Sequence, residues 1–231
     1  MKAILLAAGF GSRLAPLTDS IPKCLVPING KPLLGIWIDK LIALGVTEIL
    51  INTHYLSSQV FTYVQSHPYK EYITLIHETN LLGTAGTLVS NQDFWKDDTC
   101  FVIHADNYCG SDLSEMVKAH NSRSSQALAT LLLFETQQPE SCGIVRLDPH
   151  NFICEFYEKQ PALYGNLASG ALFIFSPAVY ARFFSTLKLN TFYELSIDII
   201  PKMRGQIQGW KVDSFYLDIG TPANYELAQS L

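Results

Sequence analysis

Residues Lys2–Ala8 form a nearly continuous apolar run that breaks at Gly9-x-Gly11. A strand with one wet face alternates apolar and polar residues. This one does not, so it reads as a strand buried on both faces whose C-terminal end opens into a loop. The same texture returns further along. Thr47–Asn52 and Ile73–His77 read as strands, and Cys100–Ala105 as a further buried strand running straight into Asp106. Helical spacing separates them. Lys31–Leu44 has Pro32 in its first turn and stops at Gly45. Leu56–Ser66, Thr84–Asn91 (with Gly83 and Gly86 flanking its start) and Leu113–His120 are the other helices of this half.

Strand and helix alternate through this half, which predicts an α/β fold: a Rossmann-like, mostly parallel sheet with helices on both faces. Ligands in such sheets sit beyond the carboxyl ends of the strands, where Arg13 and Asp106 fall. From Ala127 the texture changes. Segments 127–134, 143–147, 152–159 and 171–176 are strand-like with short connections, a small added region of mixed sheet. Pro177–Leu187 and Leu195–Met203 look helical, and the chain closes with a strand, a tight turn and a last helix.

With 231 residues, 48% hydrophobic and 16% charged, the chain can bury a sizeable core. A formal net charge of −5 without a Lys/Arg run argues against a nucleic-acid partner. A few local cations can still hold an anionic small substrate. No secretory signal opens the chain, and no stretch approaches the roughly 20 apolar residues of a membrane span. A cytoplasmic protein with no membrane partner is the expectation. Five cysteines, odd in number and without CxxC spacing, fit reduced thiols. Nothing in the sequence signals an oligomeric state.

Gly9 and Gly11 let backbone approach a phosphate, and loop amides can form an anion-binding concavity. Arg13 adds a rigid cationic fork, and Lys23, stiffened by Pro22, a second cation. A plain strand-to-helix turn would also use two glycines. The two familiar phosphate loops fail on residues: there is no Gly-Lys-Ser/Thr ending, and Leu14 stands where the dinucleotide fingerprint needs a third Gly. Asp106 and Asp218 each sit at an expected strand end. A hard divalent cation takes one or two carboxylates plus phosphate and water, which suits such a pair; a turn or a helix cap would equally use either one alone. His54, His77 and His104 show no zinc spacing and read as structural.

Residues Ala7–Leu34 read Gly-x-Gly-x-Arg-Leu, Pro-Leu-Thr, Pro-Lys and Gly-Lys-Pro-Leu in that order. The segment closely resembles the signature of sugar-1-phosphate nucleotidyltransferases, which include mannose-1-phosphate guanylyltransferases and glucose-1-phosphate thymidylyl- and uridylyltransferases. The resemblance continues at Leu82–Gly86, Ala105–Asn107, Glu158–Lys159 and Leu217–Pro222, and so covers nearly the whole chain. It implies a single nucleotidyltransferase domain over 1–231, with a nucleotide-binding half at 1–125 and a sugar-binding half at 126–231. It implies Mg²⁺ held by Asp106 and Asp218, and catalysis by Arg13, Lys23 and Asp106. Ala8, Gly9, Gly11, Arg13, Lys23, Glu78, Gly83 and Thr84 would bind the nucleoside triphosphate. On the sugar 1-phosphate, Glu158 would take the hydroxyls and Lys159 the phosphate, joined by Asn107, Gly143 and Asn166.

Two departures are visible. Cys24 replaces the usual Pro or Ala, and Ala168-Ser169-Gly170 stands where many guanylyltransferases have Asn-Ala-Gly. The expected pair is GTP with a mannose- or heptose-type 1-phosphate. The opening also suits uridylyltransferases of amino-sugar phosphates, and His104–Tyr108 resembles the matching segment of phosphocholine cytidylyltransferases. A non-catalytic nucleotide-sugar sensor is the reading from another class, but it would have lost Arg13, Lys23 or an aspartate, and none is lost.

Overall fold

The computed structural model describes residues 1–160 and 164–231. Its strands are β1 (Lys2–Leu6), β2 (Pro27–Ile28), β3 (Lys31–Pro32), β4 (Glu48–Thr53), β5 (Ile73–His77), β6 (Cys100–His104), β7 (Asn107–Cys109), β8 (Ala129–Glu135), β9 (Gly143–Leu147), β10 (Ile153–Glu158), β11 (Leu167–Phe175), β12 (Ile207–Lys211) and β13 (Tyr216–Asp218). Its α-helices are α1 (Leu33–Ala43), α2 (Ser57–Ser66), α3 (Gly83–Ser90), α4 (Gln92–Trp95), α5 (Leu113–Asn121), α6 (Pro177–Val179) and α7 (Pro222–Gln229). The fold is mixed α/β. Two compact units interleave along the chain: Met1–Leu81 with Ile103–Gly110 and Ser214–Leu231, and Leu82–Val102 with Ser111–Asp213.

In the first unit β1, β4 and β5 pair in parallel, with Ile4 opposite Leu50 and Leu50 opposite Thr74. Past the end of β6, the Ala105 N–H donates to Leu6 O at 3.0 Å. Ala3, Ile4 and Leu5 are all fully buried. Successive strand residues point to opposite faces, so both faces of β1 are covered, as its unbroken apolar run predicts. Helix α1 buries Leu34, Trp37, Ile38 and Leu41, one stripe at i, i+3, i+4 and i+7. Each such side chain contributes about 1.5–3 kcal/mol by leaving water.

The helix expected from Lys31 begins at Leu33. Lys31 and Pro32 pair antiparallel with Ile28 and Pro27 across a two-residue loop. That loop is Asn29-Gly30, with φ of +48° and +81°. Positive φ at both positions is what a type I′ hairpin turn requires, and Asn-Gly is its favoured pair. The turn chemistry therefore outranks the helical spacing at these two residues.

The second unit holds a mixed sheet. Strands β10 and β9, β9 and β11, and β11 and β8 are antiparallel neighbours, and β12 lies parallel to β8. Register shifts between Ser169 and Phe173, where Ala171 takes φ of +51°. Trp95 anchors the core of this unit. It is fully buried, its indole N–H donates to Leu88 O at 2.9 Å, and the Phe184 ring lies 5.1 Å away edge-on. The segments expected as helices near 177–187 and 195–203 are helical over most of their length, but irregularly wound. After α6 the Ser185 N–H reaches back five residues to Tyr180 O. Leu195–Ile199 is similarly wide, and Ile200–Met203 tightens again. Pro201 has no N–H to close a regular turn there.

His120 on α5 is 2% exposed. Its Nδ1 meets Thr130 Oγ1 at 2.9 Å, while Nε2 has no partner among the described residues. Burial, then the nearby Arg123 charge, pushes the imidazole down to about 4. The unfolded chain protonates this ring near pH 6.5 and the folded chain does not, so stability is full above that pH and is lost as pH falls towards 4. The loss from this one group is at most about 3 kcal/mol. Urea melts at pH 7 and pH 4.5 should show a smaller pH difference for His120→Gln than for the parent chain. An equal difference would rule the ring out as its source.

Candidate functional site

The opening loop leaves β1 and folds onto itself. Gly11 takes φ of +69°, and a Cβ there would stand 3.0 Å from both Lys23 Cβ and Thr18 Cγ2. Only glycine fits this place without strain. The Thr18 hydroxyl donates to Gly11 O at 2.9 Å. At Gly9 an added Cβ would meet nothing within 4 Å among the described residues, so they leave the backbone there open. Ala8 beside it is buried, and Arg13 on the following turn is exposed.

Lys23 is buried at the start of the tight turn Lys23–Leu25. Its Nζ donates to Asp106 Oδ2 at 2.7 Å and to Asp218 Oδ1 at 2.9 Å. Arg13 Nη2 donates to Asp218 Oδ2 at 3.2 Å. A short antiparallel pair brings the two aspartates together: β13 lies against β7 with Asp218 opposite Asn107, and the Ile219 N–H donates to Asp106 O at 3.1 Å. Asn107 thus sits inside the pairing, and its carbonyl accepts the Trp37 indole N–H at 2.7 Å. Four residues singled out from the sequence therefore converge in one cluster of two cations and two anions.

Burial alone would pull the Lys23 pKa down. The Asp106 and Asp218 charges outweigh it, and the net shift is upward. Burial likewise pushes Asp106 up, but Lys23 and His104 oppose it and the net shift is downward. Each group holds its partner in the charged form. The lysine side chain is only 8% exposed, whereas Asp106 and Asp218 are 36% and 42% exposed, so the carboxylates keep an open side. No cluster of three or more His, Cys, Asp or Glu able to hold a metal occurs among the described residues. Two carboxylates converging on one cationic charge is nonetheless the protein share that Mg²⁺ needs when phosphates and water complete its shell.

Glu78 is 6% exposed and its Oε1 accepts from Asn52 Nδ2 at 2.9 Å, while Asn52 Oδ1 accepts the Ala7 N–H at 2.7 Å. A carboxylate on the 73–84 segment is thereby tied to the start of the opening loop. Asn52 was not among the sequence candidates, although a polar residue ending a buried strand has to find partners. Gly83 and Thr84 lie in the second unit. The Thr84 hydroxyl donates to Glu194 Oε2 at 2.6 Å, and Gly83 takes φ of +72° against the Tyr193 carbonyl. Glu194 also escaped the sequence reading, since no local pattern links it to Thr84.

Of the sugar-side candidates of the second unit, Gly143, Glu158 and Lys159 lie on or next to β9 and β10, and Asn166 precedes β11. Glu158 pairs with Gly143, where a Cβ would come within 3.0 Å of Glu158 Oε2. Lys159 takes φ of +48° and donates its N–H to Cys142 O at 3.0 Å. Its Nζ lies 3.7 Å from Glu158 Oε1 and is well exposed. Asn166 is exposed, and its carbonyl accepts the Thr136 N–H at 2.9 Å. Ala168 is fully buried opposite Ile144.

The profile of the family described as Nucleotidyl transferase matches residues 2–230. The mannose-1-phosphate guanyltransferase of Neurospora crassa is 32% identical over 235 residues, and the Xenopus laevis mannose-1-phosphate guanyltransferase beta-A is 30% identical over 232. Both comparisons take in 97% of this chain, which spans about 62% of the length of these relatives. A crystal structure of a putative glucose-1-phosphate thymidylyltransferase from Bacillus anthracis superposes with a TM-score of 0.87 at 25% identity, over all of this chain and 94% of that one. HddC from Yersinia pseudotuberculosis shares the fold, with a TM-score of 0.80 at 22% identity over 99% and 98% of the two chains. Among the described residues no helix is long and apolar enough to cross a membrane.

Proposed function

Because this chain belongs to the nucleotidyl transferase family, we propose that it joins a nucleoside triphosphate to a sugar 1-phosphate and releases pyrophosphate. GTP and a mannose- or heptose-type 1-phosphate are the proposed pair, of which GTP and mannose 1-phosphate are in keeping with the names of the relatives above. The observation that carries the reaction type is the Lys23 ammonium set between Asp106 and Asp218, with Arg13 beside them.

A sugar-phosphate oxygen attacks the α-phosphorus, the bond to the β-phosphate oxygen breaks, and pyrophosphate carries that electron pair away. The nucleophile is already an anion near neutral pH, so no general base is needed. Two anions must meet, and neutralising and aligning them is the main task. Lys23 bears on the α-phosphate and Arg13 on the departing pyrophosphate. Asp106 and Asp218 would hold Mg²⁺, which when bound supplies Lewis acidity to phosphoryl oxygens. In the first unit, backbone at Ala8, Gly9 and Gly11 and the Glu78 carboxylate are the proposed nucleotide contacts and Asn107 a sugar contact; in the second, Gly83 and Thr84 are proposed for the nucleotide, Gly143, Glu158 and Asn166 for the sugar, and Lys159 for its phosphate.

A matrix of the common nucleoside triphosphates against sugar 1-phosphates and phosphocholine, read by pyrophosphate release, tests this reading. GTP with mannose 1-phosphate or a heptose 1-phosphate should give the highest kcat/KM. Release with phosphocholine alone would move the assignment to a different acceptor. Nucleotide-sugar binding without release from any pair would leave a sensor.

A further inference from the structure

The chain has five arginines. Arg13 pairs with Asp218 and Arg146 with Glu155. The other three, Arg123, Arg182 and Arg204, have no acidic partner among the described residues. All three lie in the second unit and line two adjoining hollows of about 380 and 350 Å³ that share Ser125 and Leu128. Among the described residues no carboxylate lines either hollow. In a chain of net charge −5, three unneutralised guanidiniums around one acid-free recess call for an anion from outside.

The recess is built rather than incidental. Arg123 is half-buried, its Nε donates to Ala127 O at 2.9 Å and its Nη1 to His120 O at 2.5 Å. Carbonyls hold the fork in place without cancelling its charge, and burial lowers its pKa. The walls are tied together: the Leu128 N–H donates to Gln206 O at 2.8 Å, the Ser176 N–H to Leu128 O at 3.0 Å, and Gln126 Nε2 to Gly205 O at 3.0 Å. Ser176 lines the first hollow at 6% exposure, and its buried Oγ has no partner among the described residues. Gln206 lines the second, and its buried Oε1 has none either. An orphaned hydroxyl and an orphaned amide oxygen inside a protein mark missing partners. A hydroxyl can donate to a phosphate oxygen. An amide oxygen can only accept, so it asks the ligand for a hydroxyl.

We propose that this recess binds a small phosphomonoester that carries hydroxyl groups, a hexose phosphate in class. It is a different place from the sugar-side candidates. Ser176 follows the C-terminal end of β11, where Phe175 faces Ala129, and Asn166 precedes the other end, where Leu167 faces Glu135. That separation is roughly 25–30 Å along the strand. The inference stands on these residues alone and survives whichever substrates the enzyme uses.

The test is a residue-resolved NMR titration of the whole protein with glucose 6-phosphate, and in a second arm with inorganic phosphate. Saturable shifts are expected at Ser125, Leu128, Ser176 and Gln206. The double variant Arg182→Gln/Arg204→Gln changes two exposed side chains and leaves the Arg123 tie intact, so it should fold. It should weaken the hexose phosphate by at least about tenfold, with pyrophosphate release unchanged. Adding Arg123→Gln should abolish the shifts. Shifts confined to Arg13, Lys23 and Lys159, or equal affinity in parent and double variant, would overturn the site. Inorganic phosphate binding as tightly as glucose 6-phosphate would overturn the role given to Gln206.

Discussion

Lys23→Ala should lower turnover by at least about a hundredfold while the protein still folds. The size follows from what the ammonium does. It is the buried cation of the cluster, 8% exposed and shared by two carboxylates, and the proposed reaction brings an anion to a triphosphate beside it. Folding should survive because Asp106 and Asp218 are 36% and 42% exposed and water can solvate them once the lysine is gone. A second readout separates this role from plain destabilisation. Without Lys23 the two carboxylates repel each other, and MgCl₂ should raise the melting temperature of the variant more than that of the parent. Near-normal turnover, or a variant that ignores MgCl₂, would remove Lys23 from the place given to it.

Gly83→Ala should cost about 3 kcal/mol or more, a fall in melting temperature of roughly 6–12 °C for a chain of this size. Two effects add. The φ of +72° disfavours any side chain, and a Cβ there would run into the Tyr193 carbonyl. That carbonyl cannot retreat easily, because it accepts the Ala85 and Gly86 N–H groups at 2.9 and 3.1 Å while the Tyr193 N–H donates to Leu82 O at 2.9 Å. Gly45→Ala is the control. Its φ is +77°, but among the described residues nothing lies within 4 Å of the new Cβ. Only the conformational cost of about 1 kcal/mol should appear. If both variants melt alike, the steric part of the argument fails.

How much of this was legible depended on the range of the interaction. Strands β1, β4 and β6 announce themselves because a strand buried on both faces leaves an unbroken apolar run. The Asn29-Gly30 hairpin was equally local and could have been read, but helical spacing running on from Lys31 concealed it. The irregular turns at Tyr180–Phe184 and Leu195–Ile199 leave no periodic trace, since a single wide turn does not change which face is apolar. Each member of the charged cluster could be picked out by type and neighbours, and a family signature assigned it a chemistry. That they touch could not be read. Lys23 and Asp218 are 195 positions apart, and the β7–β13 pair that joins the aspartates is three residues long on each side. Asn52 and Glu194 do their work through hydrogen bonds to distant partners, which no spacing in the chain encodes.

The ammonium of Lys23 makes the cluster its own counter-ion. Lys23 and Arg13 carry two positive charges against the two of Asp106 and Asp218, so the group is electroneutral before anything binds. A divalent cation arriving alone must displace an amine already seated on both carboxylates. A cation arriving on a triphosphate would bring the anion to which that amine can turn. Binding would then be an exchange of partners, the carboxylates passing from ammonium to metal and the ammonium from carboxylates to phosphate, so that no bare charge is set down in a half-buried place, where desolvation would oppose it most.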